Sequence, residues 1–597
     1  MKTEERTNVH FDYDHIIVGS GFGGSVSAMR LSQKGYSVLV IESGKRWTAK
    51  DFPKTNWSVH KYLWMPRLGF YGIQRLNLLK DFFLVSGAGV GGGSLVYANT
   101  LYVPADKTLN HPTYKKIGGK DGMLPFYKVA SRMLGVVQNP HIDESDSILK
   151  GIAEDMGRGN TFSPTPVGVF FGEKAGQTVR DPYFLGEGPE RTSCNYCGGC
   201  MVGCRFNSKN TLDKNYLFFA EKLGTQILPE TKVTDIIPLN EKGKPDPDAS
   251  GEFGYELSTR STTGWFGSPK KKFRARSVVL SAAVMGTVGL LLRSRENGSM
   301  KRLSPCLGDN VRTNSETVLG VTKFGKDVDF SKGIAITSSI HPDEHTHIEP
   351  VRYSRGSDFF GALASVLTDG GGKFPRPLKY FFTMFTQPIY FLKASWPFGF
   401  AKNSLILLVM QTLDNKVKLV RKRRLAWPFE KSMTSALTAG EKTPSYIPIA
   451  NQTARKIAKK IGGIPRSSLN DVLLNAPITG HIMGGCVMGS SSQEGVIDFE
   501  NKVYGYKNLR VCDSSMIPVN LGVNPSLSIT AMTERAMSMI PPKDNGSVSS
   551  FNFEKSFGIT SIVFPKISSK INGQSKRPRS AKISKGKSTK KAKVAHR

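Results

Sequence analysis

The sequence predicts an α/β protein in which a mostly parallel sheet covered by helices is combined with a second domain on a mixed or antiparallel sheet. Three observations predict this fold class. Residues 11–42 read as a complete strand–helix–strand unit, and residues 275–293 repeat a strand–turn–helix pattern. Residues 334–419 instead show alternating, aromatic-rich runs. A strand that leads into a helix indicates parallel pairing, whereas alternation indicates a half-buried sheet.

The opening unit carries the spacing G-x-G-x-x-G at Gly19, Gly21 and Gly24. Its elements are a strand at 15–18, a helix at 25–34 and a strand at 37–41. Gly19 allows a tight turn, Gly21 lets the backbone approach a pyrophosphate, and Gly24 lets the helix pack closely on the strand. Phosphates favour the free N–H groups of a helix N-terminus. Glu42, at the end of the second strand, is placed to accept a ribose hydroxyl. The unit therefore predicts a Rossmann-like dinucleotide site.

Two further segments indicate close backbone approach to the same ligand. Five glycines lie between 87 and 93, which is too many for the interior of a helix or strand. Because Val90 and Leu95 argue for burial, we interpret this loop as a cofactor contact and not as a flexible surface loop. Strands at 231–238 and 275–280 precede a turn of small residues and a helix at 287–293, with another strand at 318–322.

The second domain is predicted from residues 319–475. Ser404–Met410 and Lys416–Val420 look like paired strands around a turn at Asp414–Asn415. Residues 359–400 form an apolar and basic insertion. Two interpretations of this insertion stay open: a core insertion with a loop, or a functional segment that is either a lid over an apolar substrate or an interfacial patch.

Composition adds a strong positive charge, with a net charge of +34 and a pI near 9.8. Residues 566–597 carry twelve Lys or Arg and no acid, and the rest of the chain is basic as well. Such a field favours anionic partners. The first ten residues lack the apolar core of a secretory signal, and the seven cysteines do not resemble a disulfide framework. We expect a cytoplasmic protein, with peripheral membrane contact as a further expectation.

Several motifs occur together in a fixed order: VGSGFGGS with Glu42, SGAGVGGGSLVYAN (86–99), CGGCMVGCRFNSKNTLDKNYL (197–217), VVLSAAVMGT (278–287), HIMGGCVMG (481–489) and NLRVCDSSMIPVNLGVNPSLSITAMTERA (508–536). In this order the chain resembles the glucose–methanol–choline (GMC) flavin oxidoreductases, and most of all their bacterial cholesterol-oxidase branch. The resemblance implies bound FAD, a Rossmann-like FAD domain, a substrate domain on a mixed or antiparallel sheet, and oxidation of an alcohol by hydride transfer.

Three residues are expected to carry the chemistry. An imidazole is suited to take the proton that leaves the alcohol, and His481 lies in a turn-rich, glycine-flanked segment. Asn524 precedes Pro525 and the predicted helix at 528–539, so its amide is restrained and can donate to the substrate oxygen or to the reduced flavin. The resemblance adds a glutamate that moves a double bond after oxidation, for which Glu349 is the candidate.

The resemblance also sets the expected cofactor contacts. Asp513 is expected near the flavin phosphates or ribityl chain, with an ordinary loop acid as the alternative. The positions expected to contact FAD are Gly19, Gly21, Phe22, Gly24, Glu42, Gly87, Gly89, Gly92, Gly93, Asn99, Val233, Ser281, Ala282, Asp513 and Asn524.

Four cysteines are clustered at Cys194, Cys197, Cys200 and Cys204, with the C-x-x-C-x-x-C-x-x-x-C spacing of bacterial ferredoxins. Arg205 replaces the proline that is usual after the fourth cysteine. The sequence therefore leaves two alternatives open. The cluster holds iron–sulfur or zinc, or it consists of reduced thiols in a glycine-rich loop.

The expected segments are the FAD domain at 1–135, 226–318 and 476–542, a substrate or cap segment at 136–225, the substrate domain at 319–475, and a basic, disordered tail at 543–597. The expected activity is oxidation of a 3-hydroxysteroid such as cholesterol, with dioxygen or a carrier as acceptor. One alternative is a GMC dehydrogenase for a sugar or choline that uses a protein or quinone acceptor. Another is a protein that binds nucleic acid or an anionic membrane through the tail.

Overall fold

A computed structural model describes residues 9–264, 270–325, 327–424, 427–437 and 444–559. The strands are β1 (Tyr13–Val18), β2 (Val38–Ile41), β3 (Trp64–Met65), β4 (Phe70–Tyr71), β5 (Gln74–Leu78), β6 (Phe83–Gly87), β7 (Val137–Gln138), β8 (Ser163–Pro164), β9 (Pro166–Val167), β10 (Thr178–Val179), β11 (Arg191–Thr192), β12 (Gln226–Leu228), β13 (Thr231–Pro238), β14 (Tyr255–Ser261), β15 (Lys270–Leu280), β16 (Thr317–Thr322), β17 (Ser338–Ser339), β18 (Thr346–Val351), β19 (Ala364–Val366), β20 (Ser404–Gln411), β21 (Val417–Arg424), β22 (Trp427–Leu437), β23 (Ile464–Ser468), β24 (Ile478–Thr479) and β25 (Leu509–Val511).

The α-helices are α1 (Phe22–Gln33), α2 (Val59–Tyr62), α3 (Asp106–Leu109), α4 (Pro112–Lys115), α5 (Gly119–Met133), α6 (Glu144–Asp155), α7 (Tyr216–Lys222), α8 (Ala283–Glu296), α9 (Arg376–Thr386), α10 (Pro388–Ala394), α11 (Phe400–Asn403), α12 (Pro448–Ile461), α13 (Leu469–Leu474), α14 (Ser526–Ser538) and α15 (Asn552–Ser556). Within the described ranges no helix combines the length and the apolar character needed to cross a membrane.

The first sheet has seven strands, and its predicted Rossmann-like character is confirmed. β1 lies at its centre and pairs in parallel with β2 on one side and β15 on the other. β12 continues the parallel part beyond β2, and β25 pairs in parallel with β15. β13 and β14 add an antiparallel edge. Parallel strands need crossover connections, and α1 provides the one between β1 and β2.

Helix α1 packs against the sheet without any gap at Gly24. A Cβ atom at Gly24 would lie 1.9 Å from the carbonyl oxygen of Gly19, so no larger residue fits there. The helix also packs against α14 and α7. This packing holds the N-terminus of α1 at the carboxyl edge of the sheet, where ligands bind in open α/β folds.

The second sheet has five strands in the order β18-β20-β16-β23-β19, and every pair in it is antiparallel. Alternate residues point to opposite faces of a strand. One face buries Leu319, Leu405 and Leu407 in an apolar core with residues of α6 and α12. The other face carries Val318, Ile406 and Leu408 and lines a large cavity. The predicted antiparallel substrate sheet is confirmed.

The predicted pairing of the strands around Asp414–Asn415 is wrong. β20 pairs with β16 and β18, whereas β21 pairs with β22. The Asn520 amide donates to the carbonyl oxygens of Gln411 and Leu413, each at 2.8 Å. The backbone of Val417 then pairs with Val311. Because residues distant in the sequence hold this connection, the chain continues away from β20 and does not form a hairpin with it.

The expectation of disorder from residue 543 is not met at α15. Phe553 is fully buried against Phe184 and Phe219, and Glu554 forms an ion pair with Arg30 of α1 at 2.5 Å. The folded part of the chain therefore extends beyond the predicted boundary. The remainder of the predicted tail, residues 560–597, lies outside the described residues.

Candidate active site

A cavity of about 1640 Å³ extends from the N-terminus of α1 to the open face of the second sheet. Its walls come from the α1 turn, the glycine-rich loop after β6, the start of α8, the segment before α14 and the strands β16 and β20. These segments are far apart in the sequence and meet here because the first sheet presents the carboxyl ends of its parallel strands, and the second sheet presents one face, to the same space. A cavity of this size has room for a dinucleotide and a second molecule.

The α1 turn provides a cradle for a pyrophosphate. A Cβ atom at Gly21 would meet no protein atom within 4 Å, although Gly21 lines the cavity. On the opposite side Gly92, with φ +52°, lies so close that its Cβ would be 2.7 Å from the Gly21 Cα. The backbone at Gly92 therefore packs against the backbone at Gly21, while the space into which a Gly21 side chain would project stays free and belongs to the cavity. This arrangement fits the phosphates of FAD at a helix N-terminus.

Most of the predicted cofactor residues line this cavity. Those that do are Gly19, Gly21, Phe22, Glu42, Gly87, Gly92, Gly93, Val233, Ser281, Ala282, Asp513 and Asn524. Gly24, Gly89 and Asn99 do not lie on the cavity wall. Gly89 has φ +135° and packs against Leu95 and the Lys45 carbonyl, and Asn99 is fully buried with φ 70°. These three positions shape the loops behind the wall.

The two acids predicted at the cofactor are each held by the protein. Glu42 accepts hydrogen bonds from the Ser20 amide (3.1 Å), the Ser20 hydroxyl (2.9 Å) and the Gly44 amide (2.8 Å). Asp513 accepts from the Thr287 hydroxyl at 2.5 Å and from the Ser515 amide at 2.8 Å. Burial raises the pKa of Asp513. Both carboxyl groups are therefore held in place by hydrogen bonds from the protein.

His481 and Asn524 meet at the wall where the cradle joins the second sheet. The Asn524 Nδ2 lies 3.2 Å from the His481 Nε2, although 43 residues separate them. His481 follows β24, whereas Asn524 immediately precedes Pro525 and α14. The Asn524 Oδ1 is buried without a hydrogen-bond partner among the described residues. The pair presents one imidazole nitrogen and one amide to the cavity.

Glu316 is a third member of the site that the sequence did not indicate. Its Oε1 lies 3.1 Å from the His481 Nδ1, and it accepts a 2.8 Å hydrogen bond from Thr479. Burial acts to lower the pKa of His481, but the Glu316 carboxylate outweighs it and raises the pKa above its ordinary value. Glu316 ends a polar loop just before β16, and no local motif distinguishes it from an ordinary loop acid.

Glu349 lies on β18 near His481 and Asn524 and is fully buried. It does not itself line the cavity, whereas Leu408, its partner on β20, does. Burial raises its pKa to about 8, although the nearby His481 imidazole and Asn524 amide act in the opposite direction. Neither carboxyl oxygen has a hydrogen-bond partner of good geometry in the described part of the chain. His347 lies 4.0 Å away, but burial lowers its pKa to about 3, so it supplies no positive charge at neutral pH. Glu349 is therefore a carboxyl group whose pKa lies close to neutral pH.

The four clustered cysteines do not form a ligand set. Cys194 and Cys200 are buried, Cys204 is half-buried and Cys197 is exposed. Across the ranges that the structure describes, no group of three or more His, Cys, Asp or Glu side chains is arranged to hold a metal ion. The predicted iron–sulfur or zinc site is therefore not supported. Instead, the buried Lys209 ties this loop to the glycine-rich loop by donating to the carbonyls of Leu95, Tyr97 and Cys200.

A dinucleotide cradle that opens onto an imidazole and a carboxamide, with two carboxyl groups close to them, defines a flavin-dependent oxidoreductase of the alcohol-oxidising class. The comparisons with family models agree. GMC oxidoreductase models match residues 189–314 and 422–533, and an NAD(P)-binding Rossmann-like model matches residues 17–60.

Relatives of known activity extend over most of the chain. A cholesterol oxidase of Acinetobacter baumannii is 47% identical over 89% of this chain and 95% of the relative. A cholesterol oxidase of Mycobacterium tuberculosis is 45% identical over 89% and 92%, respectively. A long-chain-alcohol oxidase of Arabidopsis thaliana is 23% identical over 88% and 66%. The chain belongs to the GMC oxidoreductase family and is an FAD-dependent enzyme acting on CH–OH groups.

Solved structures support the fold. Pyridoxine 4-oxidase from Mesorbium loti superposes with a TM-score of 0.55 at 15% identity and covers 88% of this chain and 98% of its own. An Aspergillus oryzae formate oxidase gives a TM-score of 0.55 at 16% identity over 88% and 97%. These two structures share the two-sheet architecture with this chain.

Proposed function

We propose that this enzyme oxidises the 3-hydroxyl group of a sterol such as cholesterol to a ketone, with dioxygen as the final acceptor. The observation that carries the proposal is the His481–Asn524 pair in a large cavity to which the second sheet contributes the apolar side chains of Val318, Ile406 and Leu408. The cholesterol oxidases that match this chain over almost their whole length support the substrate and the acceptor.

The shape of the wall favours an apolar alcohol over a sugar. Val318, Ile406 and Leu408 face the cavity from the second sheet and offer no hydrogen bonds. A sugar ring carries several hydroxyls, and each would lose its hydrogen bonds to water without replacement there. A rigid hydrocarbon skeleton would instead gain about 25 cal/mol for each Å² removed from water.

Proton transfer is assigned to His481. When bound, FAD accepts a hydride from the carbon that carries the hydroxyl group. The His481 Nε2 faces the cavity and takes the hydroxyl proton, while Glu316 at Nδ1 stabilises the imidazolium that results. The Asn524 amide orients the imidazole and the substrate oxygen. Water exclusion by the apolar wall strengthens these polar contacts.

Anaerobic reduction of the purified holoenzyme tests this proposal. We expect its visible flavin absorbance to bleach on addition of cholesterol in detergent and not on addition of choline or glucose, because the apolar wall binds only the sterol productively. The ketone product, identified by mass spectrometry, completes the test. Bleaching by choline or glucose with no response to cholesterol would overturn the sterol assignment and leave the alcohol-oxidising class intact.

We further propose that Glu349 moves the ring double bond after oxidation. As a base it removes a proton from the carbon between the ketone and the double bond, and as an acid it returns a proton at the far end of the resulting dienol. The predicted outcome for Glu349→Gln is a loss of isomerisation of about 10² or more, with oxidation retained. Because the carboxylate form is required, isomerisation by the native enzyme should rise with pH through about 8.

The ultraviolet absorbance of the conjugated enone, followed against flavin reduction, separates these two steps. Glu349→Asp is the matched control and should keep partial isomerisation, since it retains the carboxyl group. Conjugated product formed by Glu349→Gln at the native rate would contradict the assignment.

A further inference from the structure

An exposed apolar surface lies on helices α9 and α10 and the segment after them. Nine of the 21 large, exposed apolar side chains in the described part of the chain fall between 374 and 398. Phe382, Phe385 and Ile389 are 69%, 76% and 70% exposed. Single exposed apolar residues need no explanation, but a contiguous group of this size marks an interaction site. We call this group the 374–398 surface.

The exposure follows the helical period and is therefore built into the sequence. On α9 the exposed residues Leu378, Phe382 and Phe385 are four and three positions apart, which places them on one face. Arg376 and Tyr380, also four apart, are buried on the opposite face. Helix α9 is therefore amphipathic, but its apolar face is exposed to solvent, which is the reverse of the usual arrangement in a globular protein.

The opposite side of helices α9 and α10 packs against the second domain, so the exposed side chains do not belong to an unpacked segment. Tyr380 and Ala394 are buried with Val366 and Val472 of the second domain. The Arg376 guanidinium donates to the carbonyl oxygens of Thr368 and Asp471. After α10, Asp358 accepts from the amides of Gly399 (2.9 Å) and Ala401 (2.7 Å).

The surface carries charge of one sign only. Residues 370–403 contain five Lys or Arg and no Asp or Glu, and Lys373 and Lys393 are exposed beside the apolar side chains. A second copy of this surface would bring cations against cations, which disfavours a two-fold dimer through it. Anionic lipid headgroups would instead pair with the lysine ammonium groups, while the aromatic and aliphatic side chains enter the region between the headgroups and the acyl chains.

The surface also adjoins the substrate cavity. Leu363 and Ala364, just before the exposed segment, and Phe400, just after it, all line the cavity. Arg466, another lining residue, donates to the carbonyl oxygen of Trp396 at 3.0 Å. A bilayer in contact with the exposed side chains would therefore lie next to the end of the cavity that is built from these residues.

We propose that the 374–398 surface inserts into the headgroup region of an anionic bilayer and delivers a membrane-dissolved alcohol to the cavity. The membrane contact stands on the observations above, and only the delivery step rests on the proposed sterol oxidation. Of the two interpretations of the insertion that the sequence left open, the exposure favours the interfacial patch over a core insertion.

The test is co-sedimentation of the holoenzyme with sterol-free vesicles of phosphatidylcholine and phosphatidylserine. The variant Phe382→Ser, Phe385→Ser, Ile389→Ser keeps every charge of the protein, so any attraction through the basic tail is unchanged. Its vesicle partition coefficient should fall at least about tenfold, since three large apolar side chains no longer leave water. Because Trp396 is exposed on this surface, the total tryptophan emission should shift to the blue on binding in the native protein and not in the variant.

A matched control replaces three exposed apolar residues elsewhere: Val103→Ser, Ile142→Ser, Phe253→Ser. This control should bind vesicles as the native protein does. Equal loss of vesicle binding in both triple variants would overturn the proposal, and so would vesicle binding at the native level by the Phe382, Phe385, Ile389 variant. A native protein that is dimeric in solution, and that becomes monomeric only in this variant, would also overturn it. Oxidation of detergent-dissolved cholesterol should be unchanged in both variants. Because the vesicles contain no sterol, failure of the proposed activity would leave the binding result standing.

Discussion

Replacing His481 by Gln is expected to lower kcat by about 10²–10⁴-fold, the usual contribution of a positioned acid–base group. Glutamine is of similar size and keeps a hydrogen bond to Asn524, but it cannot take the hydroxyl proton. FAD should remain bound, because the cradle around Gly21 and Glu42 is untouched. The measurement is the rate of flavin reduction after anaerobic mixing with the alcohol, with the bound flavin quantified by absorbance.

Glu316→Gln is the companion variant, and its effect on pH dependence has a definite sign. The Glu316 carboxylate raises the pKa of His481, and His481 acts as a base only when neutral. Activity of the native enzyme therefore rises with pH through that pKa. Removing the carboxylate should shift this rise to lower pH and lower the plateau, since the imidazolium loses its counter-charge. A shift to higher pH, or a His481→Gln enzyme within tenfold of the native rate, would contradict the assigned roles.

The second large effect is expected from Gly21→Val, which should yield a folded protein without flavin. The valine side chain would occupy the space in front of the α1 N-terminus, where a Cβ atom meets no protein atom within 4 Å. Each charge-assisted hydrogen bond lost from the phosphates costs about 1.5–3 kcal/mol, so FAD affinity should fall by about two orders of magnitude or more.

Flavin absorbance per protein and far-ultraviolet circular dichroism give the two readouts for this series. Gly21→Ala is the graded control, because its methyl group projects into the same space but is smaller, and it should retain part of the flavin. Loss of helical signal together with flavin in Gly21→Ala would instead assign Gly21 to the fold. Retention of flavin by Gly21→Val would move the pyrophosphate away from this turn.

Local patterns were enough to predict the parts of the fold that are contiguous in the chain. β1, α1 and β2 follow from three glycines and the apolar runs that flank them, and β13 matches its predicted limits of 231–238. His481 and Asn524 were predicted as site residues because their surroundings restrict the backbone and match a family pattern. Both signals lie within a few residues of the side chain that they identify.

Long-range pairing could not be predicted in the same way. β20 and β21 are neighbours in the sequence, yet β20 pairs with β16 and β18 whereas β21 pairs with β22. The connection between them is held by a hydrogen bond from Asn520 and by backbone pairing with Val311. The ferredoxin-like cysteine spacing likewise indicated a metal site that the three-dimensional arrangement does not support. Spacing along the chain limits which geometries are possible but does not select one.

The sequence by itself determined the dinucleotide turn and the alternation of the two sheets, because each depends on φ/ψ preference or side-chain period over a short stretch. It also predicted His481 as the proton-transferring imidazole. Only the tertiary structure decided that the Glu316 carboxylate contacts the Nδ1 of His481, that Glu349 is buried near them and that the 374–398 surface is exposed to solvent. These facts depend on the free energy of burying and pairing groups separated by many residues, which no local pattern contains.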